Sequence, residues 1–245
     1  MTRSLLCFAS VLTLFAAVFA FPLSAQAPQE AYERAIVAEE QGDFDGARRL
    51  HSQACDADHA PACREMIVMH LKGRGGPKSN SAARSMAEKA CRLGSIDGCS
   101  ILMQFAYTAK GGPADFGLVR RLGKAVCKSD DDGDAISSRA CFHFGRALLT
   151  GKAGPTDLAG AESALTLACR GTVPQGCTQL AALHLGRHGG PRNDERAARF
   201  LAHACIRGEK DVCDIYDSDP ISMRKRATEA CEAGDKGACL TLERP

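Results

Sequence analysis

The sequence predicts an all-α protein, an α/α solenoid in which about six helical hairpins stack into a right-handed superhelix. The first observation is a pair of cysteines eight residues apart, such as Cys91 and Cys99, that recurs along the chain. The second is the period, because Cys55, Cys91 and Cys127 follow one another at intervals of 36 residues. The third is a regular alternation of helical sequence with short breaks that contain glycine. Repeats of this length are typical of stacked helical hairpins.

The N-terminus has the features of a secretory signal peptide. Arg3 precedes an apolar run over residues 5–21, and an Ala-x-Ala pattern follows that run. The run is short for a membrane anchor, and polar sequence comes directly after it. Two cleavage positions are open, after Ala25 and after Ala27, and Pro28 next to the second bond disfavours that cut.

These features divide the chain into a signal peptide over residues 1–27 and a repeat solenoid over residues 28–245. We expect the mature protein in the periplasm or outside the cell, without membrane contact once the signal is removed. The chain has 13 cysteines, and loss of Cys7 with the signal leaves an even number in an oxidising compartment. That setting favours disulfides over metal ligands or redox thiols, so we predict no metal site and no cofactor. A formal net charge of +2 gives no sign of the clustered basic face that nucleic acids require.

The first elements show how the helices are recognised. Residues 29–41 have the apolar spacing of a helix, and the glycine-containing stretch 42–46 breaks it. A second helix is predicted over residues 47–55, followed by a turn over residues 58–61. A third helix is predicted to begin near Ala62, and the alternation continues to the C-terminus.

Side-chain size alternates at fixed positions in every unit. A large side chain stands three residues after the second cysteine: Met66, Leu102, Phe144, Leu180, Tyr216 and Leu242. A small one stands directly before the first cysteine: Ala54, Ala90, Val126, Ala168, Ala204 and Ala230. Eight residues before the first cysteine stand Ala47, Ala83, Val119, Ala161, Ala197 and Met223. Large residues that face small ones allow antiparallel helices to pack closely.

Glycine and proline mark the loop between the two helices that each repeat contributes. The loop sequences are Gly75-Gly76-Pro77, Gly111-Gly112-Pro113, Ala153-Gly154-Pro155 and Gly189-Gly190-Pro191. Glycine permits a left-handed end to the preceding helix, and proline prevents that helix from continuing. Two residues after the prolines stand good N-cap residues for the following helix: Ser79, Asp115, Asp157 and Asn193.

The segment between the two cysteines of a unit, here called the corner, contains a residue suited to a left-handed helix end. That residue is Gly94, Gly171, Gly208 or Gly234 in four corners and Asp58 in the first. The two cysteines therefore lie at the end of one helix and the start of the next, which predicts pairing within each unit. The predicted pairs are Cys55–Cys63, Cys91–Cys99, Cys127–Cys141, Cys169–Cys177, Cys205–Cys213 and Cys231–Cys239. Closing a loop of about nine residues contributes roughly 2.6 kcal/mol by the chain-entropy formula.

Two segments depart from the pattern. The corner between Cys127 and Cys141 is longer and carries four aspartates. A calcium loop needs ligands at alternating positions and a closing glutamate, but Lys128 and Arg139 occupy unsuitable places. A solvated acidic loop is therefore favoured over a contact with calcium or a partner. The final unit lacks its glycine loop in the stretch 216–221, as terminal capping repeats often do.

The paired cysteines, the Gly-Gly-Pro loops and the capped helices that end in Ala-Cys resemble the Sel-1-like repeat. More narrowly, they resemble the disulfide-bridged branch found in the Helicobacter cysteine-rich proteins, with a eukaryotic cousin in a respiratory-chain assembly factor of the mitochondrial intermembrane space. The resemblance covers about residues 29–242. It implies an α/α superhelix that acts as an adaptor or scaffold. It also raises an alternative, since members of the bacterial branch have been described as penicillin-binding or as weak β-lactamases.

The sequence offers few residues for catalysis or metal binding. Ser222 and Lys225 match the Ser-x-x-Lys pattern of serine β-lactamases, but the Lys-Thr-Gly partner motif is missing from the sequence. A single match of this kind also arises by chance, so the pair is a weak candidate. His184 and His188 have the i, i+4 spacing of zinc ligands on a helix, yet His188 falls in a glycine-rich break. We interpret both as surface or loop histidines.

The remaining candidate is a binding surface. In a solenoid the first helix of each hairpin usually lines the concave face, which predicts a polar groove formed by Arg64, Glu65, Gln104, His143, Gln179 and Asp214. An ordinary solvated face is the alternative interpretation. The function predicted from the sequence is an exported, monomeric, non-enzymatic scaffold that holds a protein or peptide on its concave face. A hydrolase or binder acting on β-lactams or cell-wall peptides is the second hypothesis.

Overall fold

The computed structural model describes residues 23–128, 135–217, 228–229 and 231–234. Eleven helices lie within these residues, and no strand is found among them. In chain order the helices are α1 (Leu23–Glu40), α2 (Phe44–Asp56), α3 (Ala60–Lys72), α4 (Asn80–Arg92), α5 (Ile96–Thr108), α6 (Phe116–Val126), α7 (Ala135–Leu149), α8 (Leu158–Arg170), α9 (Gln175–His184), α10 (Asp194–Ile206) and α11 (Lys210–Asp217).

The helices pack in the order in which they follow one another. Each helix contacts the next one along the chain, from α1 against α2 to α10 against α11. The α5 helix also packs against α7, so that helices of neighbouring units lie side by side. This nearest-neighbour packing confirms the predicted all-α repeat solenoid. In the described part of the chain, no helix is long and apolar enough to cross a membrane.

The predicted N-caps of the second helices are confirmed. Ser79 Oγ accepts a hydrogen bond from Ala82 N at 3.1 Å. The three remaining caps accept from the backbone nitrogen three residues later, at 2.8 Å for Asp115 and Asp157 and 3.0 Å for Asn193. Each side chain therefore satisfies one of the free amide groups in the first turn, and it fixes where the helix begins.

The second helix begins earlier than the sequence predicts. The stretch 44–46 was expected to lie in the break, but it forms the first turn of α2. The reason is Asp43, whose Oδ1 accepts a hydrogen bond from Gly46 N at 2.8 Å. Asp43 therefore caps α2 and sets its start ahead of Gly46. Gly46 lies in the first turn, where a glycine is compatible with helical backbone. The first helix, expected over residues 29–41, runs from Leu23 to Glu40.

The first helices also end sooner than expected. The left-handed residues that close α3 and α5 are Gly73, with φ of 72°, and Ala109, with φ of 56°. The Gly-Gly-Pro loops follow these residues, and their role is close packing. A Cβ atom placed on Gly111 would lie 2.2 Å from Asn80 O, at the start of α4. The loop therefore contacts the first turn of the preceding unit's helix, and only glycine fits there.

Four of the five predicted left-handed corner residues are confirmed. The φ angles are 63° at Asp58, 86° at Gly94, 97° at Gly208 and 92° at Gly234. Gly171 is the exception, with φ of −73° and ψ of −138°, so the prediction was wrong for this corner.

The fourth corner has its own path because of the residues after Gly171. Val173 is buried, with 7% of its surface exposed, and Val173 N donates to Ala168 O at 3.2 Å. Pro174 then takes the N-cap position of α9 in the right-handed helical region. Val173 packs into the core, and Pro174 begins the next helix. The chain makes this corner without a left-handed residue.

Five cysteine pairs form disulfides within their own units, which agrees with the pairing predicted from the spacing. Their Cα–Cα distances lie between 4.4 and 5.5 Å. The longest of these distances belongs to Cys127–Cys141, the pair with 14 residues of separation. The sixth predicted pair includes Cys239, which lies outside the described residues. Each disulfide joins the end of one helix to the start of the next across a corner.

The alternation of large and small residues forms the core. The large residues of the first four units are buried, with 5%, 4%, 6% and 0% of their surface exposed in Met66, Leu102, Phe144 and Leu180. The small residues before the first cysteines are buried to the same extent: Ala54, Ala90, Val126, Ala168 and Ala204. The side chains of Tyr216, Leu242 and Ala230 lie outside the described residues. The buried residues form four clusters among the described residues, and the partly buried Met86 packs against three of them.

Candidate binding surface

The six residues predicted to form a binding groove separate into smaller sets. Arg64 and Glu65 lie at the start of α3, where Arg64 Nη2 is 2.7 Å from Glu65 Oε1. Arg64 Nε also lies 3.8 Å from Asp97 Oδ2 of the next unit. Arg64 and Asp97 help to line an open depression of about 400 Å³, together with Pro61 and Leu93. The charge of Arg64 is therefore already paired with two acids of the protein.

Gln104 and His143 lie on helices that pack together, α5 and α7. Gln104 Nε2 donates to the backbone oxygen of Ile136 at 3.2 Å, so its amide ties the two helices to each other. His143 stacks on Tyr107, with ring centroids 4.6 Å apart and planes inclined by 29°. Gln179 lies half-buried on α9. Asp214 lies on α11, and its side chain is outside the described residues.

A group of aromatic and cationic side chains surrounds His143, and we call it the aromatic patch. Its members are Tyr107, Phe116, Phe142, His143, Arg146 and Lys152. Tyr107 contacts Phe116 edge to face, with ring centroids 5.8 Å apart. The Arg146 guanidinium carbon lies 5.9 Å from the ring centroid of Tyr107 and 5.4 Å from that of Phe142. The patch extends over two units and joins α5, α6 and α7.

Charge around the patch is positive. Burial, followed by the nearby Arg146 and Arg139 guanidiniums, lowers the pKa of His143 to about 4. The ring is therefore neutral at neutral pH. Both charged groups that act on it are cations, and neither raises its pKa as a carboxylate would. Lys152 adds a third cation, with its Nζ 5.6 Å from the Phe116 ring centroid.

Reasoning from the sequence found His143 and missed the rest of the patch. A signal was present, because aromatic residues make up only 5% of the chain. Tyr107, Phe116 and Phe142 nevertheless fall in consecutive units, and Arg146 follows Phe142 at helical i+4 spacing. A scarce residue type concentrated in two repeats indicates a function specific to those repeats. Residues that recur in every unit indicate a role in packing.

A column of arginines illustrates the structural kind of repeat. Arg48, Arg84 and Arg120 recur at the 36-residue period. Their Nη1 atoms donate to backbone oxygens of the glycine loops: Arg48 to Arg74 at 3.3 Å, Arg84 to Pro113 at 2.8 Å and Arg120 to Ala153 at 2.8 Å. Each arginine thus fastens the following loop onto its helix. The sequence period could have revealed this column, since it coincides with that of the cysteines.

The fourth unit replaces the arginine with Glu162. Glu162 Oε1 lies 2.7 Å from Arg196 Nη2 and 3.4 Å from His184 Nε2. His184 is buried, with 6% of its surface exposed, and it stacks on Phe200 at 5.5 Å. The expectation of a surface or loop histidine was therefore wrong for His184, because it fills the space beside this replacement. His188 lies half-buried in the loop after α9.

One group of metal-ligand type is found among the described residues, and it consists of Cys169, Cys177 and His203. The two sulfur atoms are joined in a disulfide, and His203 Nδ1 lies 3.7 Å from Cys177 Sγ. Oxidised sulfurs of this kind are not thiolate ligands. Ser222 and Lys225, the weak catalytic candidates, lie outside the described residues.

These features define a class of protein, an α/α repeat solenoid whose corners are closed by disulfides. The fold is that of Sel1 repeat proteins. The structure is similar to a protective antigen present in uropathogenic Escherichia coli strains displaying an SLR fold, with a TM-score of 0.70 and 20% identity over 88% of this chain and 48% of that chain. It is also similar to a Sel1 repeat protein from Oxalobacter formigenes, with a TM-score of 0.61 and 15% identity over 81% of this chain and 79% of that chain.

The chain spans about half the length of the protective antigen chain that it matches. No protein-family model matches the sequence, and no curated protein matches it. At these identities the likeness shows the fold alone.

Proposed function

We propose that this protein is an exported, non-enzymatic scaffold that binds a protein or peptide partner on the face formed by the first helices of its hairpins. The observation that supports this proposal is the rigid arrangement of the repeats. Five disulfides close successive corners, and each helix packs on its neighbour along the stack. Side chains from different units are therefore held in fixed relative positions, which lowers the entropy cost of binding an extended partner.

The composition of the surface also supports binding. The α5 and α7 helices carry half-buried polar and aromatic side chains, among them Gln104, Tyr107 and His143. Aromatic residues and arginine are enriched at the centres of protein interfaces, because they bury much area at low entropy cost. Export is supported by the apolar N-terminus together with the five disulfides, since such bonds persist in oxidising compartments.

The test is selection of binding peptides on the purified, oxidised protein, followed by affinity measurements before and after reduction. We expect the selected peptides to bind the oxidised protein and to lose affinity as the disulfides are reduced. Hydrolysis of a chromogenic β-lactam, measured in parallel, should not exceed a boiled control. Turnover that the Ser222→Ala substitution abolishes would contradict the scaffold proposal and support the hydrolase alternative.

Two further measurements address the exported, monomeric state. N-terminal sequencing of the exported protein should find a chain that starts at Gln26 or Pro28, after cleavage at one of the two expected positions. Light scattering coupled to gel filtration should give the mass of one copy. A chain that keeps its first residues, or a mass of two copies, would contradict the corresponding part of the proposal.

A further inference from the structure

We propose that the aromatic patch binds an acidic segment of the partner protein, with one carboxylate on Arg146, a second on Lys152, and apolar side chains over the rings between them. This inference rests on the proposed function, because it names the chemistry of the partner that the scaffold holds. It is carried by the arrangement of cations and rings across α5, α6 and α7.

The two cations contact different rings of the patch. Arg146 contacts Tyr107 and Phe142, and Lys152 contacts Phe116. Three successive contacts connect the cations through Tyr107 and Phe116, at 5.9, 5.8 and 5.6 Å. An extended chain rises about 3.3 Å per residue, so a segment of about five residues is long enough to meet both cations.

Neither cation is paired with an acid within the described residues. The ion pairs of that part of the chain involve other arginines and lysines, such as Arg64 with Glu65 and Arg196 with Glu162. The acid beside Phe116 in the sequence is Asp115, and its Oδ1 accepts the N-cap hydrogen bond from Leu118 N at 2.8 Å. Arg146 and Lys152 therefore keep their hydrogen-bonding capacity for a ligand while they lie over rings.

The stacking geometry favours a carboxylate over a base or a sugar ring. His143 stacks on Tyr107 and the Arg146 guanidinium lies over the same ring, so Tyr107 offers a base little free face for stacking. Phe116 and Phe142 are partly exposed, and they are the rings left for apolar side chains of the segment. A guanidinium that lies over a ring still presents its planar N–H edge, which matches a carboxylate in a bidentate pair. The overall charge of +2 also lacks the excess that nucleic-acid binding requires.

The lowered pKa of His143 agrees with this assignment. The charged groups that lower its pKa, Arg146 and Arg139, are both cations, so the charges that act on this ring are positive. The His143 ring is neutral, and no carboxylate is among the groups that shift its pKa. A carboxylate of the partner would therefore be the first anion beside this ring. Charge complementarity of this kind sets orientation and association rate.

The probe is a fluorescein-labelled peptide, Glu-Phe-Gly-Phe-Glu, titrated with the purified, oxidised protein and followed by fluorescence anisotropy. The matched ligand control is Gln-Phe-Gly-Phe-Gln. We expect the acidic peptide to bind at least about tenfold more tightly, and its affinity to fall as sodium chloride is raised. Equal affinity for the two peptides would overturn the proposal.

Protein variants locate the site. Arg146→Gln should weaken binding of the acidic peptide about tenfold, the loss expected for one charge-assisted pair, and Lys152→Gln should weaken it less. Arg146→Lys should restore part of the affinity. Arg34→Gln, at an exposed arginine on α1, is the control and should leave the affinity unchanged. Unaltered melting temperatures would show that each variant is folded.

The outcomes separate this proposal from the scaffold function. Selected peptides that bind equally well to Arg146→Gln and Lys152→Gln would overturn the acidic-segment assignment and leave the scaffold function intact. No peptide binding to any variant or to the parent protein would overturn both. Tighter binding of a labelled single-stranded oligonucleotide than of the acidic peptide would assign the patch to nucleic acid instead.

Discussion

At the scale of single residues, His143 makes the stability of the folded protein depend on pH. Its pKa of about 4 in the folded protein lies below the ordinary value of 6.5, because of burial and the two neighbouring arginines. Between these values the unfolded chain binds a proton that the folded chain does not. The stability contributed by neutral His143 is therefore fully present above about pH 6.5, and it is lost as the pH falls toward 4.

We expect His143→Phe to remove this acid dependence while keeping a ring against Tyr107. The upper bound on the effect is about 3 kcal/mol, and the partial exposure of the ring reduces it. Urea unfolding at several pH values between about 7.5 and 4.5 would give the free energy of unfolding of both proteins. The free energy of unfolding of the wild type, relative to that of the variant, should decrease as the pH falls. A constant difference across this range would contradict the assignment.

Two glycines in left-handed backbone separate conformational strain from steric contact. Gly94 has φ of 86° and nothing within 4 Å of a Cβ atom placed on it, whereas Gly111 has φ of 75° and Asn80 O at 2.2 Å. Gly94→Ala should therefore cost about 1 kcal/mol, the strain alone. Gly111→Ala should cost about 3 kcal/mol, because the loop must also move away from α4. Equal losses in thermal unfolding would show that the contact of the loop with α4 adds nothing to the strain.

At the scale of elements, the arginine column fastens three of the glycine loops, each to a preceding helix. Arg120 Nη1 donates to Ala153 O at 2.8 Å, and the neighbouring Arg121 is exposed. We expect Arg120→Gln to lower the free energy of unfolding by about 1 to 2 kcal/mol, through the lost charge-assisted bond. Arg121→Gln is the matched control, with a change within about 0.5 kcal/mol. Similar values for both in urea unfolding would mean that the loop holds without the arginine.

The elements also show where the sequence was sufficient and where it was not. Repeating cysteines, N-caps and size alternation predicted the hairpins, because each of these signals is local and recurs in every unit. The predictions failed where one residue outweighed its neighbours, as Asp43 does at the start of α2 and Val173 in the fourth corner. His184 escaped detection because its burial depends on Glu162, which lies 22 residues earlier on another helix.

The candidate site was harder to predict than the fold, for the same physical reason. His143 and Tyr107 are 36 residues apart, and they meet only because α5 and α7 pack together. A sequence pattern indicates which positions of a helix face outward, but it does not give the angle at which two such helices meet. The longer corner between Cys127 and Cys141 interrupts the alignment at this point and obscures the correspondence further.

At the scale of the whole molecule, helix packing follows the order of the sequence, so stability is distributed along the chain. In the described residues each helix packs on its neighbours in sequence, and α5 on α7 and α7 on α9 are contacts across one helix. The stability of such an array is approximately the sum of the repeats and their interfaces. A disulfide then stabilises its own corner directly, and it affects distant units only through the interfaces between them.

We therefore expect removal of a central disulfide to destabilise more of the neighbouring helices than removal of a terminal one. Cys91→Ala with Cys99→Ala opens a corner that has packed units on both sides, and it should cost about 2.6 kcal/mol by loop entropy. Cys205→Ala with Cys213→Ala removes a disulfide near the end of the described stack. It closes a loop of the same length, because the two cysteines of both pairs are 8 residues apart.

Amide hydrogen exchange measures how far each change spreads, because it reports opening segment by segment. The central variant should exchange faster in α4 and α5 and also in α3, α6 and α7, which pack on them. The terminal variant should exchange faster in α10 and α11, with α9 affected less and α3 to α6 unchanged. Uniformly faster exchange along the chain in both variants would show that the solenoid unfolds as one cooperative unit. In that case the disulfides stabilise the solenoid as a whole rather than corner by corner.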